Sequence, residues 1–155
     1  MSVAIESSVG GNHTGMKNKS LIFETVIVGE ELGPVEHPLS KETVQEFANA
    51  VDDRCRWYTC ESPFGPAIAP PTFVCGDYVR LIESTYDSAG PGWLHAKQES
   101  QFRNPAAVGT IIRVEGRIVD KYIRRGRKYI VLDYICASKE GLEVSRHRST
   151  LVALE

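Results

Sequence analysis

The last third of this chain leaves little choice of fold. Three segments rich in β-branched and aromatic residues, Thr110 to Tyr122, Lys128 to Ala137 and Glu143 to Leu154, are separated only by Arg124-Arg125-Gly126-Arg127 and Ser138-Lys139-Glu140-Gly141. Connections this short join antiparallel neighbours, because a parallel pair needs a crossover of about a dozen residues or more. Within the first segment Ile112, Val114, Gly116 and Ile118 fall on one face, the period-two pattern of a sheet with one buried side. A preceding strand is expected from Trp93 to Arg103, stopped by Asn104-Pro105.

Two helices are expected ahead of these strands. The longer runs from about Thr72 to Ser84, where Phe73, Val74, Cys75, Tyr78, Val79, Leu81 and Ile82 cover much of the circumference. A helix this apolar should be enclosed by the rest of the fold, with Asp77, Arg80 and Glu83 reaching an exit and Asp77 facing solvent. Asp87 to Gly92 should end it. The shorter helix should start at Ser40 as N-cap, with Glu42 in its first turn and Val44, Phe47, Ala48 and Val51 along one face. Gly33-Pro34 and Pro38 read as punctuation before it. Glu61 to Pro71, with four prolines and a glycine, must be loop. The sum is an α+β fold in which an antiparallel sheet wraps a central helix.

Length and composition narrow the function classes. At 155 residues, one domain over 21–155 is expected, preceded by a mobile arm over 1–20 that is rich in Ser, Gly, Asn and Lys. A net charge of −2 gives no general reason to expect nucleic-acid binding. No apolar run reaches the roughly 18 residues of a membrane span. The first residues lack the apolar centre of a secretory signal, so a cytoplasmic protein is expected. The four cysteines, Cys55, Cys60, Cys75 and Cys136, form no CxxC pair and no zinc-like spacing with histidine; they read as free thiols, with no metal site.

Several pieces in fixed order resemble MaoC-like hotdog dehydratases and (R)-specific enoyl-CoA hydratases. They are Phe47-Ala48-x-x-x-x-Asp53, Ile68-Ala69-Pro70-Pro71-Thr72-Phe73, Leu94-His95-x-x-Gln98, Asn104-Pro105-x-x-x-Gly109 and Ser149-Thr150-Leu151. The likeness runs from about Glu30 to the end and implies a single hotdog fold. Ala50-Val51-Asp52-x-x-x-Trp57-Tyr58 is particularly similar to the substrate-binding half or subunit of (3R)-hydroxyacyl-thioester dehydratases, which act reversibly as enoyl-thioester hydratases in fatty-acid metabolism.

The resemblance also exposes what is missing. The family's catalytic half pairs an Asp with a His five residues later, an imidazole suited to proton transfer near neutrality. Here Asp53 is followed by Tyr58, and a phenol titrating near ~10 is a poor base. The family's oxyanion donor is a backbone N–H at the start of the central helix, where this chain has Pro71, preceded by Pro70; proline has no N–H. The resemblance therefore implies a lyase component that binds substrate but does not catalyse alone.

The acyl chain would lie near Trp57, Pro71, Thr72, Phe73, Tyr78 and His95. No cofactor is implied, the acyl-CoA or acyl carrier protein thioester being the substrate. Arg124, Arg125 and Arg127 would meet a CoA phosphate or an acidic carrier protein. A single hotdog leaves a sheet edge open, so a homodimer or a heterodimer with a catalytic hotdog subunit is expected. Other readings stay open. Asp53 with Tyr58 or His95 would serve a self-sufficient homodimer, and the fold would also suit an acyl-CoA binding module. Asp77 or Glu83 would serve a hotdog thioesterase. Asp53 also fits a simple helix-end turn, Trp57 and Tyr58 plain core aromatics, and His95 a structural histidine.

Overall fold

Arg125 and Gly126 both take positive φ, 51° and 77°, the signature of the two-residue turn that matches strand twist. They join β3 (Ile111–Arg124) to β4 (Arg127–Ser138), and β5 (Glu143–Ala153) follows antiparallel to β4. β1 (Glu31–Pro38) flanks β3 and β2 (Trp93–Phe102) flanks β5, giving the antiparallel order β1-β3-β4-β5-β2. This computed structural model describes residues 19–87 and 92–154. The expected arm therefore lies, as far as Asn18, outside the described residues. So does most of the expected Asp87 to Gly92 terminator.

The expected face of β3 is the buried one. Ile112, Val114 and Ile118 join Ile130 and Leu132 of β4 and Leu151 of β5 in the core. Helix α1 (Lys41–Ala50) starts as expected, with the Ser40 hydroxyl accepting the Thr43 N–H at 3.2 Å and Val44 and Ala48 buried.

Two expectations are corrected. β1 occupies residues read only as punctuation: an edge strand tolerates Pro34 and Pro38 because one of its sides needs no donors, and its register slips between Leu32 and Val35. The central helix is two pieces rather than one, a 3₁₀ segment Pro71–Gly76 and α2 (Tyr78–Thr85), with Asp77 at the joint. Gly76 and Asp77 are weak helix formers, and the Asp77 carboxylate turns inward. Nor is this helix enclosed. Val74 and Leu81 are buried, whereas Val79 is exposed, so the sheet covers one stripe only. Gly116 permits that approach: a Cβ there would sit 2.5 Å from the Asp133 carbonyl oxygen and 3.1 Å from Leu81 Cδ1.

The segment from Lys19 to Glu30 is latched to this frame. Trp93 Nε1 donates to the Leu21 carbonyl at 2.9 Å, and Lys121 Nζ donates to the Phe23 and Val26 carbonyls at 3.1 and 2.7 Å.

Candidate functional site

The chain leaves α1 through Val51 and Asp52, the latter at φ 52°, and this turn aims Asp53 back toward the next segment. Asp53 Oδ1 accepts the Cys55 N–H at 3.1 Å, which shapes the turn into the 3₁₀ segment Arg56–Tyr58. That segment brings the buried Tyr58 hydroxyl to 2.9 Å from Asp53 Oδ2, donating to it. Burial first, then the Asp53 hydrogen bond and charge, pushes the phenol up to about 12. It stays protonated at any physiological pH, so it cannot take a proton from a substrate carbon. Both Asp53 oxygens are engaged.

Pro70 caps and Pro71 opens the 3₁₀ segment, so neither position offers an N–H to a thioester oxygen. Thr72 is exposed there, while Phe73 meets Phe47 edge-on at 5.2 Å. Trp57 is exposed, its carbonyl accepting the Ile68 N–H at 2.9 Å. Tyr78 packs against His95 with ring centroids 4.7 Å apart and the planes tilted by 41°. Four of the expected residues thus form two pairs, Asp53 with Tyr58 and Tyr78 with His95. Among the described residues no hydrogen bond, ion pair or ring contact joins them. Arg124, Arg125 and Arg127 stand at the β3–β4 hairpin, apart from both groups.

Two clusters were not anticipated. Asp77, expected in solvent, is 3% exposed, and its Oδ2 lies 3.0 Å from Nε2 of His37, itself 6% exposed. Arg80 Nε donates to Asp77 Oδ1 at 3.2 Å, and the Cys136 thiol approaches Oδ2 at 3.7 Å. The partners are 40 residues apart, and no local pattern announces them. A second network lies under the 3₁₀ segment. Tyr134 donates to the Cys75 carbonyl at 2.6 Å and accepts from Gln98 at 3.0 Å. His147 bridges Ser100 at 2.8 Å and Ser145 at 2.7 Å, and burial pulls it down to about 4, so it is neutral. The alternation Ser145, His147, Ser149 on the helix-facing side of β5 was its visible signal.

A hollow of about 340 Å³ beside the helix is lined by Phe73, Gly76, Asp77, Val79, Arg80 and Glu83. A larger concavity, about 640 Å³, lies on the opposite sheet face among charged residues such as Glu99, Arg117 and Arg148. None of the expected site residues lines it. Among the described residues no group of three or more His, Cys, Asp and Glu side chains is placed to hold a metal ion, and no helix is long and apolar enough to cross a membrane.

Residues 26–146 match the family described as FAS1-like, dehydratase domain region. The chain belongs to this dehydratase family. Its hotdog fold is shared with solved structures of low identity. The monoamine oxidase regulatory protein from Archaeoglobus fulgidus is 17% identical, with TM-score 0.75, covering 89% of this chain and 97% of that one. The MaoC-like dehydratase from Rhodospirillum rubrum is 19% identical, with TM-score 0.72 and coverages of 88% and 98%. The (3R)-hydroxyacyl-ACP dehydratase complex HadBC from Mycobacterium tuberculosis is 24% identical, with TM-score 0.70 and coverages of 83% and 98%. No curated protein matches this FAS1-like dehydratase chain in sequence.

Proposed function

We propose that this chain is the substrate-holding subunit of a (3R)-hydroxyacyl-thioester dehydratase, working reversibly as an enoyl-thioester hydratase. The observation that carries this reading is the Tyr58–Asp53 hydrogen bond. The position where the family's chemistry calls for an imidazole holds a phenol locked in its protonated form, and it occupies the carboxylate that would be its partner. The absent N–H at Pro70 and Pro71 supports the same reading, because removing one oxyanion donor typically costs about 3–4 kcal/mol of transition-state stabilisation. The acyl group would lie along the 3₁₀ segment and α2, against Phe73 and Tyr78 and near Trp57 and His95. A catalytic hotdog chain would bring the Asp, the His and the amide donor. Arg124, Arg125 and Arg127 would serve as the contact for a CoA phosphate or a carrier protein.

The decisive assay follows crotonyl-CoA and longer enoyl-CoA hydration by the purified chain, alone and mixed with hotdog proteins carrying an intact Asp-x-x-x-x-His pair. The expectation is no turnover alone and turnover in one mixture. Robust hydration by the chain alone would end this reading.

A further inference from the structure

The hollow beside the central helix follows one stripe of it. Phe73, Gly76, Arg80 and Glu83 recur at intervals of three and four residues, with Asp77 and Val79 beside them. Its volume, about 340 Å³, is at the low end of the roughly 300–1,000 Å³ of small-molecule sites. Phe73, Gly76 and Val79 all precede Arg80 in the chain. The hollow is therefore apolar along the 3₁₀ segment and the start of α2, and charged farther on. We propose that Arg80, with Glu83 behind it, is a stop that ends the acyl site and restricts it to short and medium acyl groups. This assignment rests on the function proposed above, which lays the acyl chain along the same two helical pieces and against the same Phe73.

An unattached surface arginine would make a poor stop, because its long stem swings aside. Arg80 is attached. Its Nε donates to Asp77 Oδ1 at 3.2 Å, and Asp77 is 3% exposed. The other carboxylate oxygen lies 3.0 Å from His37 Nε2 on β1 and 3.7 Å from the Cys136 thiol on β4. The sheet thus fixes the carboxylate, and the carboxylate fixes the guanidinium. Swinging Arg80 out would take a charged donor away from a buried carboxylate. His37 and Asp77 are positioning residues in this scheme, acting on the acyl group only through Arg80.

Methylenes laid against Phe73, Gly76 and Val79 leave water for an apolar wall, and each should tighten binding about fourfold. A methylene pushed past Val79 strips water from the guanidinium and from the Glu83 carboxylate and gives neither a partner. The gain per carbon ends there. Helical rise sets Arg80 about 12 Å from Phe73 along the axis, a reach that suits a short or medium acyl chain and not a long fatty one.

The test titrates saturated acyl-CoA from acetyl-CoA to palmitoyl-CoA into the purified chain by calorimetry, below micelle-forming concentrations, with free CoA as baseline. Affinity should climb about fourfold per methylene and then level off. Val79→Trp should bring the break to shorter chains, and Glu83→Leu should carry it to longer ones; both spare the Asp77 contacts. Arg80→Leu should move it furthest, with a thermal melt recorded alongside because the change removes a donor from buried Asp77. A native series that climbs to palmitoyl-CoA without a break overturns the stop and leaves the holding function standing. A break that neither Arg80→Leu nor Glu83→Leu moves does the same, whatever Val79→Trp does. If no acyl-CoA binds more tightly than free CoA, the stop and the holding function fall together. Hydration by the unmixed chain would remove the division of labour with a catalytic partner and leave the stop in place.

Discussion

Asp53 and Tyr58 close into a hydrogen bond where the proposed function calls for a missing acid–base pair, and on that proposal the deficiency should be repairable. Tyr58→His restores an imidazole beside Asp53, but leaves the thioester oxygen without a donor at Pro71. Enoyl-CoA hydration by Tyr58→His alone should stay at background. The double variant Tyr58→His/Pro71→Gly should exceed it by about 10²-fold, the usual worth of one oxyanion donor. Equal rates for the single and double variants would show that the missing N–H is not the second deficiency. Asp77 makes the contrasting case. Its carboxylate is buried and held by His37, Arg80 and Cys136, so it pins the helix joint to β1 and β4.

At the scale of elements, the parts ruled by local chemistry were legible. The turns at Arg125-Gly126 and Ser138 to Gly141 announced β3, β4 and β5, and Ser40 announced α1. Asp53 and Tyr58 were legible as a pair only through the family resemblance, whose catalytic half keeps an Asp and a His at that spacing. β1 was not, because its prolines argue against a strand until a neighbouring β3 supplies the pairing. The broken central helix was hidden for the same reason. Apolar periodicity predicts one enclosed helix, whereas the break at Asp77 depends on His37, 40 residues away. The hand-off from sheet to helix can be tested at Gly116. In Gly116→Ala the new methyl meets backbone at Asp133 and the Tyr134 Cβ at 2.8 Å, neither of which can swing aside. Thermal or denaturant unfolding should show a loss of about 1–3 kcal/mol, and an unchanged midpoint would mean that β4 gives way beside Gly116 without cost.

The whole molecule should be acid-sensitive through His147. Burial holds this imidazole at about 4 in the fold, while in the unfolded chain it titrates near ~6.5. The unfolded state therefore binds the proton first, and stability falls as pH drops from the unfolded value toward the folded one. Between about pH 7 and pH 5 the loss should be about 2 kcal/mol, and His147→Gln should flatten that part of the profile. A parallel decline in the variant would assign the sensitivity elsewhere. The strand order β1-β3-β4-β5-β2 carries one more consequence, for the timing of folding. The central three strands are sequence neighbours joined by short turns, whereas β1 and β2 reach their places over long loops and meet the entropy of closing them. The meander should form first and the flanking strands dock late, leaving β1 and β2 more easily opened than the meander. Amides of β1 and β2 should exchange with deuterium sooner than those of β4, and equal protection across the sheet would show that it opens as one unit.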